Sequence, residues 1–165
     1  MSTAPQRERA PIEWFRSTAP YINRHRGAVF VIMLPGEALS GGHFERLSHD
    51  MALLSSLGVR LVLVHGARPQ VEERLRQASR PGRLHKGIRI TGAEELALVR
   101  EAVGAARIEI EAALSASQPN SPMQGAQLRV LGGNFVRARP LGVIDGIDHG
   151  YTGRVRRIDG EGIRS

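Results

Sequence analysis

The chain is predicted to fold as an α/β domain built on a parallel sheet, and three features of its sequence carry that prediction. Two apolar runs, 28–34 and 59–66, have the length and the Val/Leu/Ile make-up of buried strands. Between them, Phe44, Leu47, Met51, Leu54 and Leu57 recur at intervals of three or four residues, the spacing of one helical face. A second helical signal follows the second run. Strand, helix, strand, helix in close succession is the order that parallel pairing through crossover helices produces.

Residues 11–25, "PIEWFRSTAPYINRH", read as a helix, with Pro20 placed to break or kink it and Gly27 to end it. It holds Trp14, Phe15, Tyr21 and Ile22, so it either covers the sheet or docks on another subunit. Run 28–34 is continuously apolar, as expected of a strand covered on both faces. Gly41-Gly42 precedes the first crossover helix and Gly58 stops it. Pro69 stands where a first helical turn begins, and Val71, Leu75 and Ala78 fit a short helix. Thr91-Gly92-Ala93-Glu94 has the form of a capping box ahead of a long helix through Leu96, Val99, Val103, Ala106, Ile110 and Leu114. "SQPNSP" at 117–122 is expected to end that helix. "LRVLGG", "NFVRARPLG" and "GYTGRVRRID" read as short strands of hairpins beside the main sheet. "GEGIRS" at the end shows neither strand nor helix.

With 165 residues the chain suits one domain with a real core. It has no cysteine, which excludes disulfides and thiolate metal sites. No apolar run approaches membrane-spanning length and no apolar signal core opens the chain, so a cytoplasmic protein without membrane contact is expected. The formal net charge is +7, and Lys86 is the single lysine among 23 basic residues. The arginines are scattered from Arg7 to Arg164 and aromatics make up only 4% of the chain, which argues against a nucleic-acid partner.

Chemistry is most visible where the strands end. "MLPGE" closes the first and "VHGARP" the second, so two glycine turns should face each other at the carboxyl edge of the sheet. Gly36 and Gly66, with a helix starting near Pro69, could form an anion-binding edge; they could equally just permit tight turns. Phosphoryl transfer needs fixed positive charge. Met33 cannot supply it, Lys86 lies far along the chain, and Arg68 adds bulk where backbone would approach a phosphate. The edge is therefore suited to a carboxylate at most. No Walker loop, serine elbow or histidine metal motif occurs, and Asp145 and Asp148 in "DGIDHG" read as turn residues.

In order and spacing, "YINRHRGAVFVIMLPGEAL", "LLSSLGVRLVLVHGARPQVEERL", "HKGIRITGAEELALV" and "GGNFVRARPLGVIDGIDHGYTGRVRRID" resemble the amino-acid-kinase-like domain of bacterial N-acetylglutamate synthases, from about residue 12 to residue 160. The resemblance implies a three-layer sandwich with a mainly parallel sheet, divided as a helical arm at 1–27 and, at 28–165, an incomplete kinase-like domain whose later residues would form most of the arginine pocket. The related kinases carry lysine at the position of Met33 and a "HGGGP" loop where this chain has "HGARP". Proline at 35 departs from the usual glycine and stiffens the turn.

By that resemblance, the whole protein transfers acetyl from acetyl-CoA to glutamate in the first step of arginine biosynthesis, using a further acetyltransferase domain. This segment would contain no catalytic residue, bind no cofactor or metal, and act as the arginine-sensing, assembly-forming part of a dimer or hexamer. Gly36, Gly66 and Arg68 would be a vestigial ligand edge, and Arg89 and Asn134 remnants of an amino-acid site. Trp14, Phe15 and Tyr21 would belong to an effector and assembly helix. The alternatives are an N-acetylglutamate kinase or other amino-acid kinase, and a non-enzymatic regulatory module.

Overall fold

The structure, a computed structural model, describes residues 4–40, 42–116 and 128–164. The expected helix stop at 117–122 lies outside them. The elements run α1 (Ala4–His25), β1 (Val29–Leu34), a 3-10 turn (Gly36–Leu39), α2 (His43–Ser56), β2 (Arg60–His65), α3 (Arg68–Gln77), β3 (Arg83–His85), β4 (Ile88–Ile90) and α4 (Ala93–Ser115). They continue with β5 (Val136–Pro140), β6 (Val143–Ile144), β7 (Ile147–Asp148), β8 (Gly153–Ile158) and α5 (Gly160–Arg164).

β1 and β2 pair in parallel from Val29↔Arg60 to Leu34↔His65. Two glycines set that register. Gly27 and Gly58 end α1 and α2 with positive φ (78° and 86°), and the Gly27 N–H donates to the Gly58 carbonyl at 2.8 Å. One face of the pair carries the core: Ile32, Leu34, Leu61 and Leu63 pack with Phe44 and Met51 of α2 and with Ile110 and Leu114 of α4. The buried members, Leu34, Phe44, Met51, Ile110 and Leu114, stabilise the fold by roughly 1.5–3 kcal/mol each, and the partly buried Ile32, Leu61 and Leu63 by less. A second cluster, Val71, Leu75 and Ala102, fastens α3 to α4.

The opposite face of β1 corrects the expectation of a strand covered on both sides. Burial alternates along it, and Val29, Val31 and Met33 are exposed because α2 and α4 pack on the other side only. Proline also acts differently from expectation. The helix α1 runs unbroken through Pro20; losing one rung of the ladder does not end a helix of 22 residues.

The capping box is not formed. Gly92, not Thr91, is the N-cap of α4, and no side chain caps it. The Thr91 hydroxyl is engaged elsewhere, 3.1 Å from that of Thr152, whose own proton goes to the Arg89 carbonyl at 2.6 Å. Thr91 is therefore the donor of that pair. The same strand end bridges Gly150, with the Tyr151 N–H on the Thr91 carbonyl at 2.8 Å.

The hairpin expectation holds for β5–β8 and β6–β7, both antiparallel. Asp145 and Gly146, with φ of 52° and 76°, make the two-residue turn of the smaller hairpin, as an Asp-Gly pair should. Two segments differ from expectation. Residues 128–133 form no strand, and 160–164 form the short helix α5, whose Gly162 N–H is capped by Asp159 at 3.1 Å.

Candidate functional site

The two glycine turns do face each other. The Gly66 N–H donates to the Leu34 carbonyl at 2.7 Å, and a side chain added at Gly66 would sit 3.3 Å from the Gly36 nitrogen. Gly36 has no positive φ, so turn conformation does not explain it; space does. A β-carbon there would lie 2.7 Å from Pro69 Cδ, 2.8 Å from Gln70 Oε1 and 3.1 Å from the Arg68 nitrogen. Gln70 Nε2 also donates to the Gly36 carbonyl at 2.8 Å. The start of α3 thus fills the concavity in which a phosphate-binding turn would receive its ligand.

Among the described residues, neither Met33 nor Arg68 brings a free positive charge to that edge. Met33 lies on the open sheet face, 70% exposed. Arg68 turns along its own helix, its Nε donating to Glu72 at 3.0 Å. Glu72 also accepts from Arg89 Nη2 at 3.3 Å, so one carboxylate joins the second loop to the β3–β4 hairpin. The side chain of Arg89 is only 17% exposed.

These residues border a groove of about 480 Å³ between α3 and the hairpin, lined by Arg68, Glu72, Arg76, Gly82, Leu84 and Arg89 among others. Arg68 and Arg89 share the Glu72 carboxylate and Arg76 is paired with Glu73, so three guanidiniums meet two carboxylates and one positive charge is in excess. Arg76 also holds the neighbouring Glu73 carboxyl below its ordinary range through hydrogen bonds at 2.9 and 2.7 Å.

Arg68 and Arg89 are therefore brought together, with Gly36 and Gly66 at the other side of the α3 start. Asn134 is not brought to them. It is exposed in the segment leading into β5, does not line the groove along α3, and follows Gly132, against which Arg107 packs. Trp14, Phe15 and Tyr21 lie on α1 at 67%, 61% and 66% exposure, and no element packs substantially on that helix among the described residues. Of the two readings of α1, covering the sheet is the one the structure removes.

His149 was not legible as a special residue. It is completely buried, its Nδ1 donating to the Ile147 carbonyl at 3.1 Å, while Nε2 is enclosed without a partner. Its ring meets that of His85 edge-on at 5.8 Å. Asp145 takes Lys86 at 2.7 Å and His85 at 3.0 Å, and these two partners, Lys86 first, hold its carboxyl below the usual range. Among the described residues no His/Asp/Glu group is arranged to hold a metal, and no helix is long and apolar enough to cross a membrane.

Comparison with known proteins adds the lineage of this arrangement. The chain is 56% identical over 152 residues to the amino-acid acetyltransferase of Azotobacter vinelandii and 54% identical to that of Pseudomonas aeruginosa. The match takes in 92% of this chain but about a third (35%) of each relative. Its fold matches the N-acetylglutamate synthase of Neisseria gonorrhoeae complexed with coenzyme A and L-arginine, with a TM-score of 0.80 and 37% identity. That match covers 93% of this chain and 36% of the other. The same enzyme complexed with coenzyme A and N-acetyl-glutamate gives a TM-score of 0.77. The profile of the amino acid kinase family matches residues 28–165. An α/β sheet edge with paired glycine turns, matched over most of its length by that profile, places the chain in the amino acid kinase family.

Proposed function

We propose that this chain is the kinase-like part of an N-acetylglutamate synthase, a protein that transfers acetyl from acetyl-CoA to L-glutamate in the cytoplasm. In this reading, residues 28–165 form the N-terminal part of the kinase-like domain and 1–27 the helical arm, and acetyl transfer belongs to a domain outside this sequence. The segment regulates and assembles; it does not phosphorylate. The observation that carries the reading is the filled glycine edge. Pro69 and the Arg68 nitrogen crowd Gly36, and Met33, near the end of the strand that leads into it, carries no positive charge. Phosphoryl transfer depends on positioned positive charge, which this edge lacks.

The electropositive groove with Arg68 and Arg89 supports binding of an amino-acid carboxylate, and L-arginine is the effector the lineage suggests. Asn134 has no support in this role from the geometry. The exposed aromatics of α1 support its use as the contact that links subunits into a homo-oligomer. The decisive experiment supplies the chain with acetylglutamate, ATP and Mg²⁺, and separately with glutamate and acetyl-CoA, following product by mass spectrometry. Neither mixture should yield product. A phosphorylated product lost on Lys86→Ala would establish the kinase reading instead, and acetylated glutamate would overturn the domain assignment. Titration calorimetry with arginine, repeated on Arg89→Ala, tests the groove.

A further inference from the structure

The β5–β8 ribbon carries five arginines, Arg137, Arg139, Arg154, Arg156 and Arg157, and no acidic residue. All are exposed, and none has a carboxylate within ion-pair distance among the described residues. Their arrangement follows from the register. Arg137 stands opposite Arg157, and Arg139 opposite Arg154. Directly opposed residues share a face, so these four project on one side, and Val136, Ala138, Val155 and Ile158 on the other.

Arg154 and Arg157 are three apart in sequence and would lie on opposite faces of a regular strand. The irregularity between Arg137 and Ala138 leaves Arg156 unpaired and restores the alternation, keeping all four guanidiniums together. Two like-charged pairs set directly across a ribbon destabilise it. An arrangement that costs stability and is aligned by a bulge has the character of a surface made for an opposite charge.

We propose that this arginine face docks the acidic face of an α-helix from another polypeptide. Across the ribbon the opposed Cα atoms are about 4.5–5.5 Å apart, and along each strand the arginines are about 7 Å apart. Carboxylates at i and i+4 of a helix stand about 5–6 Å apart, so two successive turns present acids at the pitch of this grid. Guanidiniums receive carboxylates as two-pronged hydrogen-bonded pairs. A polynucleotide fits less well. It would need a longer basic track, and neither strand of the ribbon carries an aromatic side chain on which a base could stack.

The test uses the whole chain and a fluorescein-labelled synthetic helix with glutamates at successive i, i+4 positions, read by anisotropy at low salt. Arg137→Glu should weaken binding by about tenfold or more. The same substitution sets a carboxylate opposite Arg157 and should leave the thermal midpoint unchanged or raised, which separates lost docking from lost folding. Arg24→Glu, equal in charge change but on α1, should leave binding within about twofold, as a remote surface charge does. A glutamine version of the helix should not bind. Equal losses for both variants would overturn the proposal, as would absent binding of the acidic helix. Tighter binding of a 20-base-pair duplex through Arg137 would overturn it in favour of nucleic acid.

Discussion

Replacing Gly36 with alanine tests the account of the strand-end turn most directly. The new methyl would lie 2.7 Å from Pro69 Cδ, 2.8 Å from Gln70 Oε1 and 3.1 Å from the Arg68 nitrogen. A comfortable carbon contact is about 3.5 Å or more, so the proline ring must retreat by most of an ångström. That ring belongs to the first turn of α3, which is held to α4 through Val71 and Leu75. Overpacking of this kind costs about 1–3 kcal/mol, and displacing Gln70 from the Gly36 carbonyl adds about 1 kcal/mol. The reduced freedom of the unfolded chain returns about 0.4–1 kcal/mol, because Gly36 does not need a positive φ. The net loss is about 1–3 kcal/mol, a fall in thermal midpoint of roughly 3–10 °C at this chain length. Thermal unfolding followed by circular dichroism measures it. Pro69→Ala in the same chain should recover part of the loss, since it removes the nearest clashing atom. A Gly36→Ala protein as stable as the parent, or one indifferent to Pro69→Ala, would refute the claim that α3 occupies this edge.

Gly104→Ala, in α4 with nothing near the new methyl, should stabilise the protein by about 1 kcal/mol in the same melts. The Asp145 carboxyl is lowered in the folded state, so its stabilising pairing is present above the unfolded carboxylate pKa near 3.8 and is lost as pH falls through the lower folded value. Asp145→Asn keeps the turn conformation but should flatten that acid limb of a stability-against-pH curve. Trp14 fluorescence should be water-exposed and readily quenched by iodide in dilute protein, and should become protected as concentration drives assembly through α1.

What could be read beforehand was whatever rests on local pattern. The apolar run at 28–34, the helical spacing from Phe44 to Leu57 and the glycines at 27 and 58 placed β1, α2 and their ends, because periodicity and chain reversal are encoded in neighbouring residues. The facing of Gly36 and Gly66 was likewise deducible from parallel order alone. The misses share one cause, which is dependence on distant residues. Thr91 has the right neighbours for a cap, but its hydroxyl is claimed by Thr152, 61 positions away. Run 28–34 is apolar on both faces, yet only one side is packed, a fact about α2 and α4 and not about the strand. His149 stands in a turn-rich polar stretch, and nothing adjacent to it signals burial. Arg89 and Arg68 each stand out on their own; Glu72, which joins them, carries no motif at all.

The junction around Thr91 also bears on how the chain reaches its fold. α2, α4 and the small hairpins close over short sequence distances, whereas the Thr91 contacts with His149, Gly150 and Thr152 close a loop of some sixty residues. The entropy of that closure must be met before its few hydrogen bonds return anything. The entrance to α4 should therefore stay dynamic until the β6–β7 hairpin has arrived. In native-state hydrogen exchange, the amides of Thr91 and Tyr151 should open together, at a lower free energy than those of Ile110 and Leu114 in the core.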